Sequence, residues 1–361
     1  MTETELKTLL SGITPPDEAA RAAAHAHWAG LAKPLGGLGA LETLLEDAAA
    51  LTGSAALDVS RRAVLVLCSD NGVVAQGVSQ TAQSVTRAVA ENLAARRTSV
   101  CQMARTAHCD VVPVDMGMAG DPVPGVADCR IAAGTADFTQ GPAMTRAQAV
   151  EAVGRGIRLV QEQKAAGVQL LATGEMGIGN TTTSAAVLAA LTGLPVEAVT
   201  GRGGGMTDAG FLRKKQVITR ALALHRPDKN DTLDVLSKVG GLDLAAMCGV
   251  FLGAGRYGLP AVIDGFISVV AALCAYRLCP AVGDYLFASH LSREVGYTAA
   301  IEELGLAPWL HLGMRLGEGS GCPIAFRVLE AACAAARGMA TFEGAAIDDS
   351  YLNEIRGKDC F

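Results

Sequence analysis

The sequence predicts an α/β fold: a mainly parallel sheet with helices on both faces, plus a small helical domain from the two ends of the chain. Three observations carry this. Short, continuous apolar runs alternate with stretches of helical period, as in strands buried on both faces. Polar, glycine-rich turns close those runs at Asp70–Gly72, Asp115–Gly117 and Asp264–Gly265 and across residues 174–182. Both ends of the chain read as helix. Residues 1–60 and 325–361 are expected to form the small domain, leaving 61–324 as the α/β domain.

In chain order, "PPDEAARAAAHAHWAGL" and "LGALETLLEDAAAL" read as helices by composition and apolar spacing, with the loop "KPLGGLG" between them. "RRAVLVLCSDNG" is a strand ending in a turn, and "QSVTRAVAENLAA" is a helix. "CDVVPVDMGM" and "VQLLATGEMGIGN" are further strands, the latter followed by the helix "TTSAAVLAALTG". "GRYGLPAVIDGFISVVAALCAYRL" reads as strand, turn and helix, and "CPAVGDYLFAS" as another strand. In such sheets ligands sit beyond the carboxyl ends of the strands, where these turns fall.

Composition excludes several classes. Half the residues are apolar and 18% are charged, so the chain has a sizeable core and is not disordered. The net charge is −6 and no basic run is present, which gives no reason to expect a nucleic-acid partner. The longest apolar stretches fall short of the roughly 20 residues that span a bilayer, and "MTETELKTLL" has no basic or apolar leader region. A cytoplasmic location without membrane contact is the expectation. The ten cysteines, Cys360 among them, form no CxxC pair and are expected to be reduced and mostly buried. With no HExxH or Cys/His cluster, neither a metal nor another cofactor is expected.

Three segments carry chemistry. In "TGEMGIGNTTTSAA", residues 173–186, glycines precede Asn180, Thr181 and Thr182 at a helix start, a ready phosphate site. It is neither a Walker A loop nor GxGxxG, which speaks against a dinucleotide-dependent oxidoreductase. Taken alone, it also fits a tight βα turn with a Thr cap. "GRGGGMTDAGFLRKK", residues 201–215, is a close-approach loop leading into a basic helix, or equally a surface loop with a solvated face. In "MRLGEGSGCPIAFRVLEAACAAA", residues 314–336, Glu318 stands between glycines before an apolar helix, a candidate general base.

These segments and others occur in one order along nearly the whole chain: "KPLGGLGALE", "SDNGVVAQGVS", "GTADFTQGPAMTRAQA", "TGEMGIGNTTTSAA", "GRGGGMTDAGFLRKK", "VGGLDLAAMCGVFLGA", "DGFISVVAALCA", "ASHLSREVGY" and "PWLHLGMRLGEGSG". Together they resemble the nicotinate-nucleotide–dimethylbenzimidazole phosphoribosyltransferase family. The resemblance implies a Rossmann-like α/β domain, a small domain of terminal helices and a homodimer. It implies transfer of ribose 5-phosphate from nicotinate mononucleotide to a benzimidazole, with inversion at the anomeric carbon, in cobamide lower-ligand activation. It places the proposed general base at Glu318 and the other acidic and basic site residues at Glu175 and Lys214. Phosphoribosyl contacts fall on Gly177, Ile178, Gly179, Asn180 and Thr181, on Gly203 and on Ser292. The acceptor pocket is expected to include Ser79, Gln80, Gln83 and Leu316.

The chain departs from the family pattern at three places. Asn71 stands where the family usually has His. "SQTAQSVT", residues 79–86, lacks the usual proline beside the base pocket. Cys322 and Pro323 replace small residues. These bear on the acceptor, so phenol, p-cresol and purines stand beside dimethylbenzimidazole. Some relatives work as two non-identical subunits, which leaves a heterodimer with a paralogue, or a non-catalytic partner subunit, as alternatives. The latter would be expected to have lost Glu318, Glu175 or the phosphate turn, and this chain has all three.

Overall fold

The computed structural model describes residues 1–55 and 57–355. Its sheet has six strands: β1 (Arg62–Ser69), β2 (Asp110–Gly117), β3 (Ala127–Asp128), β4 (Leu170–Met176), β5 (Ala261–Ile263) and β6 (Leu286–Ala288). Their spatial order is β3-β2-β1-β4-β5-β6, and every neighbouring pair is parallel. The order reverses between β1 and β4, the switch point at which doubly wound sheets open a crevice for ligands.

The apolar runs explain the strands. All eight residues of β1 are buried, a pattern that requires cover on both faces. The helix Leu242–Tyr257 packs on β1, β2 and β4 and is apolar nearly all round. It meets the helix Arg146–Ala165 through glycines. A Cβ on Gly156 would strike the carbonyl of Ala246, and one on Gly249 would strike that of Val153. Only glycine lets these two backbones approach so closely.

The structure departs from the sequence reading in detail. β3 is two exposed residues with no apolar run to announce it. β5 and β6 are three residues each, and Pro280–Tyr285, read as part of a strand, is a 3₁₀ turn. The chain divides into two compact units, Met1–Thr14 with Arg61–Ala325, and Pro15–Ser60 with the segment from Phe326 on. The first helix, Glu3–Leu10, belongs to the larger unit and not to the terminal helical domain in which the sequence reading puts it. Ion pairs hold it there: the N-terminal ammonium lies 2.7 Å from Glu151, and Glu3 pairs with Arg146 at 2.6 Å.

In the smaller unit the helices Glu18–Gly30 and Ala40–Thr52 pack together. Asp17 caps the first by accepting from the N–H groups of Ala19 and Ala20 at 2.9 and 3.0 Å. An antiparallel bridge between Leu31 and Thr341 joins the unit's two chain segments. Cys68, Cys101, Cys248, Cys274, Cys322 and Cys333 are buried, and no disulfide links cysteines among the described residues. Cys360 lies outside the described residues. No described helix is long and apolar enough to cross a membrane.

Candidate active site

The carboxyl ends of the strands gather polar side chains. Asp70 and Asn71 follow β1, Glu175 lies near the end of β4, Asp264 follows β5, and Ser289 and His290 follow β6. The ends of β4, β5 and β6 border a cleft of about 340 Å³ lined by residues 79–81, 174–181, 202–204, 264–268 and 315–318, with His290, Ser292 and Glu294. The cleft lies at the switch point where ligands are expected.

Glu318 sits on an unusual turn. Gly317, Glu318 and Gly319 have φ of 92°, 61° and 85°, three consecutive left-handed residues. For Glu318 this conformation costs about 1–2 kcal/mol, so its surroundings must hold it. Its backbone N–H donates to Glu175 Oε1 at 3.4 Å, and its Oε2 accepts from the N–H of Val100 at 3.3 Å, at the start of the helix Ser99–Thr106. Burial raises the Glu318 carboxyl above its ordinary range, opposed by the N–H groups of Val100 and Ser99. The result is a half-buried carboxylate at the cleft, suited to taking a proton.

Glu175 is buried, with Asn180 Nδ2 donating to its Oε2. Burial pushes Glu175 up to about 8, Asn180 opposes the shift, and Asp243 and Asp264 add to it. Burial likewise lifts Asp264 to about 7 and Asp243 to about 6. These shifts link pH to stability. The unfolded chain releases the Glu175 proton near 4.5, whereas the folded chain keeps it up to about 8. The stabilisation is therefore complete below about 4.5 and is lost as pH rises through 8. The expected result is a melting temperature that declines from about pH 5 to pH 8, with a shallower decline in Glu175→Gln. Equal slopes would contradict the assignment.

The phosphoribosyl candidates come together. Gly177, Ile178, Gly179, Asn180, Thr181, Gly203 and Ser292 all line the cleft. Gly179, with φ of 93°, leads into the helix Asn180–Thr192, where a side chain would also strike Val74. Several of these groups already have internal partners. The N–H of Ile178 donates to Thr86 Oγ1 at 3.1 Å, and the amide of Asn180 faces Glu175.

Lys214, expected among the basic site residues, lies one layer back from the cleft lining. It is buried and absent from the cleft lining. Its Nζ donates to Thr181 Oγ1 at 2.9 Å and to the carbonyl of Gly201 at 3.1 Å. Burial lowers its pKa to about 8. Lys214 thus stands behind the wall and braces the glycine loop and Thr181. Of the acceptor-pocket residues, Ser79, Gln80 and Leu316 line the cleft and Gln83 does not. Gln83 ends up beside the buried carboxyl of Asp70, at the start of the helix Ser84–Ala94.

The sequence reading assigned no role to Asp243, Asp264, His290, Arg202 or Arg315. Asp264 was visible only as a turn residue. Asp243 hides in the apolar run "GGLDLAAM" and is buried beside Asn71, outside the cleft lining. Arg202 and Arg315 line the cleft, and Arg315 donates to the carbonyl of Gly203 at 3.3 Å.

Comparison with known proteins fits this geometry. Residues 13–347 match the family described as "Phosphoribosyltransferase". The nicotinate-nucleotide–dimethylbenzimidazole phosphoribosyltransferase of Clostridium perfringens is 46% identical over 332 residues, 92% of each chain. That of Clostridium tetani is 41% identical over 98% of each. The crystal structure of CobT from Thermus thermophilus superposes with a TM-score of 0.87 at 42% identity, covering 92% of this chain and 99% of that one. With that identity over nearly the full length of both chains, and with a shared fold, the protein belongs to the nicotinate-nucleotide–dimethylbenzimidazole phosphoribosyltransferase family of enzymes.

Proposed function

We propose that this enzyme transfers ribose 5-phosphate from nicotinate mononucleotide to an aromatic base, 5,6-dimethylbenzimidazole first, for assembly of the cobamide nucleotide loop. The observation that carries this reading is the half-buried carboxylate of Glu318, held on a left-handed turn beside a glycine-rich helix start. One ring nitrogen of the acceptor attacks the anomeric carbon. The carbon–nitrogen bond to the pyridinium breaks, and its electron pair returns to the ring, so nicotinate leaves. The proton on the acceptor's other nitrogen passes to Glu318. The product is the α-ribotide. Glu175 supports the turn that carries the base, and Lys214 supports the wall through Thr181.

The test is incubation of pure protein with nicotinate mononucleotide and a panel of benzimidazoles, phenols and purines, read by mass spectrometry. Absence of any ribotide product would overturn the reading. The leaving group is already cationic, so no metal is required to expel it. Turnover should be unchanged in EDTA, and a loss restored by one divalent ion would contradict this chemistry. Gln80 and Thr81 at the cleft edge favour a second acceptor class of smaller or more polar rings, because polar groups lose hydration against methyl groups. A competition among dimethylbenzimidazole, p-cresol and adenine ranks the acceptors. Homodimeric assembly and a cytoplasmic location belong to the same proposal and rest on the family resemblance. Light scattering of the purified protein measures the first.

A further inference from the structure

We propose that Asp264 is a positioning residue that holds the catalytic-base turn in place, acting through Glu318 rather than on substrate. The inference deepens the reading that Glu318 is the general base. It starts from the backbone of residues 317–319, left-handed at all three positions. Such a turn persists only where its surroundings hold it. The N–H groups in and just after it converge on the carboxyl oxygens of two buried acidic side chains. Glu175 takes the N–H of Glu318. Asp264 takes two others, Gly319 N–H on Oδ2 at 3.3 Å and Gly321 N–H on Oδ1 at 2.8 Å. The side chain of Asp264 thus brackets the turn just past the base.

Asp264 is itself well anchored. Its N–H donates to Ser268 Oγ at 3.0 Å, and that hydroxyl lies 2.7 Å from Thr173 Oγ1 in β4. Its carbonyl accepts from Ser289 Oγ at 3.4 Å, just past β6. The ends of three adjacent strands therefore fix one carboxylate, and that carboxylate fixes the turn. An amide at this position has one acceptor oxygen and one N–H₂ group, so it cannot receive both backbone donors. The turn would lose one of its two anchors on this side, and Glu318 would lose its aim.

A double-mutant cycle and hydrogen exchange test the proposal. Asp264→Asn is expected to lower kcat about tenfold, short of the 10²-fold that a full 1 Å misplacement costs, with KM for nicotinate mononucleotide little changed. Combined with Glu318→Gln, it should cost nothing more: the double variant should turn over within about twofold of Glu318→Gln alone. Penalties that multiply would overturn the proposal, since Asp264 would then act independently of the base. Exchange of the amides of residues 317–321 should be faster in Asp264→Asn than in the wild type, while exchange in β1 and β4 stays the same. Unchanged exchange in that turn would also overturn it. If the wild type turns over no acceptor, the reading of the reaction fails, and the exchange measurement alone decides on positioning. Asp264→Ser, whose hydroxyl is too short to bracket both N–H groups, serves the same comparisons should the Asn variant not fold.

Discussion

Glu318→Gln should lower kcat by about 10²–10⁴-fold, the range that general-base help supplies. The amide preserves the shape of the side chain and keeps an oxygen to accept the Val100 N–H. It cannot take a proton from the acceptor base. Because the amide keeps the size and shape of the carboxylate, nicotinate mononucleotide should bind with little change. The melting temperature should also stay near that of the wild type. Initial rates of nicotinate release, with calorimetric titration of the mononucleotide, separate the two effects. Near-normal turnover in this variant would remove Glu318 from the role of base.

Gly174→Ala should be nearly as damaging without touching any titratable group. Gly174 is buried in β4, and its missing side chain makes room for the base turn. An added Cβ would strike the carbonyl oxygen of Glu318, with the carbonyl carbon at 2.6 Å and the Gly319 nitrogen at 2.9 Å. These are backbone atoms and cannot turn aside. The turn must retreat, and a displacement of about 1 Å costs on the order of 10²-fold in rate. Overpacking of this kind also destabilises by about 1–3 kcal/mol. Kinetics and thermal melting together check this. A variant with unimpaired kcat would show that the turn is not held as described.

Much of the fold was legible because its central strands are buried on both faces. β1, β2 and β4 each follow from an uninterrupted apolar run. β3 left no such trace, being two exposed residues recruited at the sheet edge. At the site, Glu318 stood out by its flanking glycines, and the reason for those glycines is now visible in their positive φ. Asp264 and Asp243 were opaque because their partners are largely backbone N–H groups, which carry no side-chain signature. The burial of Lys214 was hidden for a different reason. It sits in a basic run with Arg213 and Lys215, yet shares a helical face with Val217, Ile218 and Ala221, all buried. The helical period held that information, and the charge of its neighbours concealed it.

The bridge between Leu31 and Thr341 has a consequence for biosynthesis. A ribosome makes the first partner roughly 300 residues before the second, which at about 5–20 residues per second is a delay of about 15–60 s. During that interval the helix Ala40–Thr52 has emerged, but the segment that completes its unit does not yet exist. Its apolar face, with Leu44, Leu45, Ala48 and Leu51, must wait in water or in the care of a chaperone. A nascent chain arrested before Phe326 should therefore be cut by protease within residues 15–60, while the sheet behind it is already resistant.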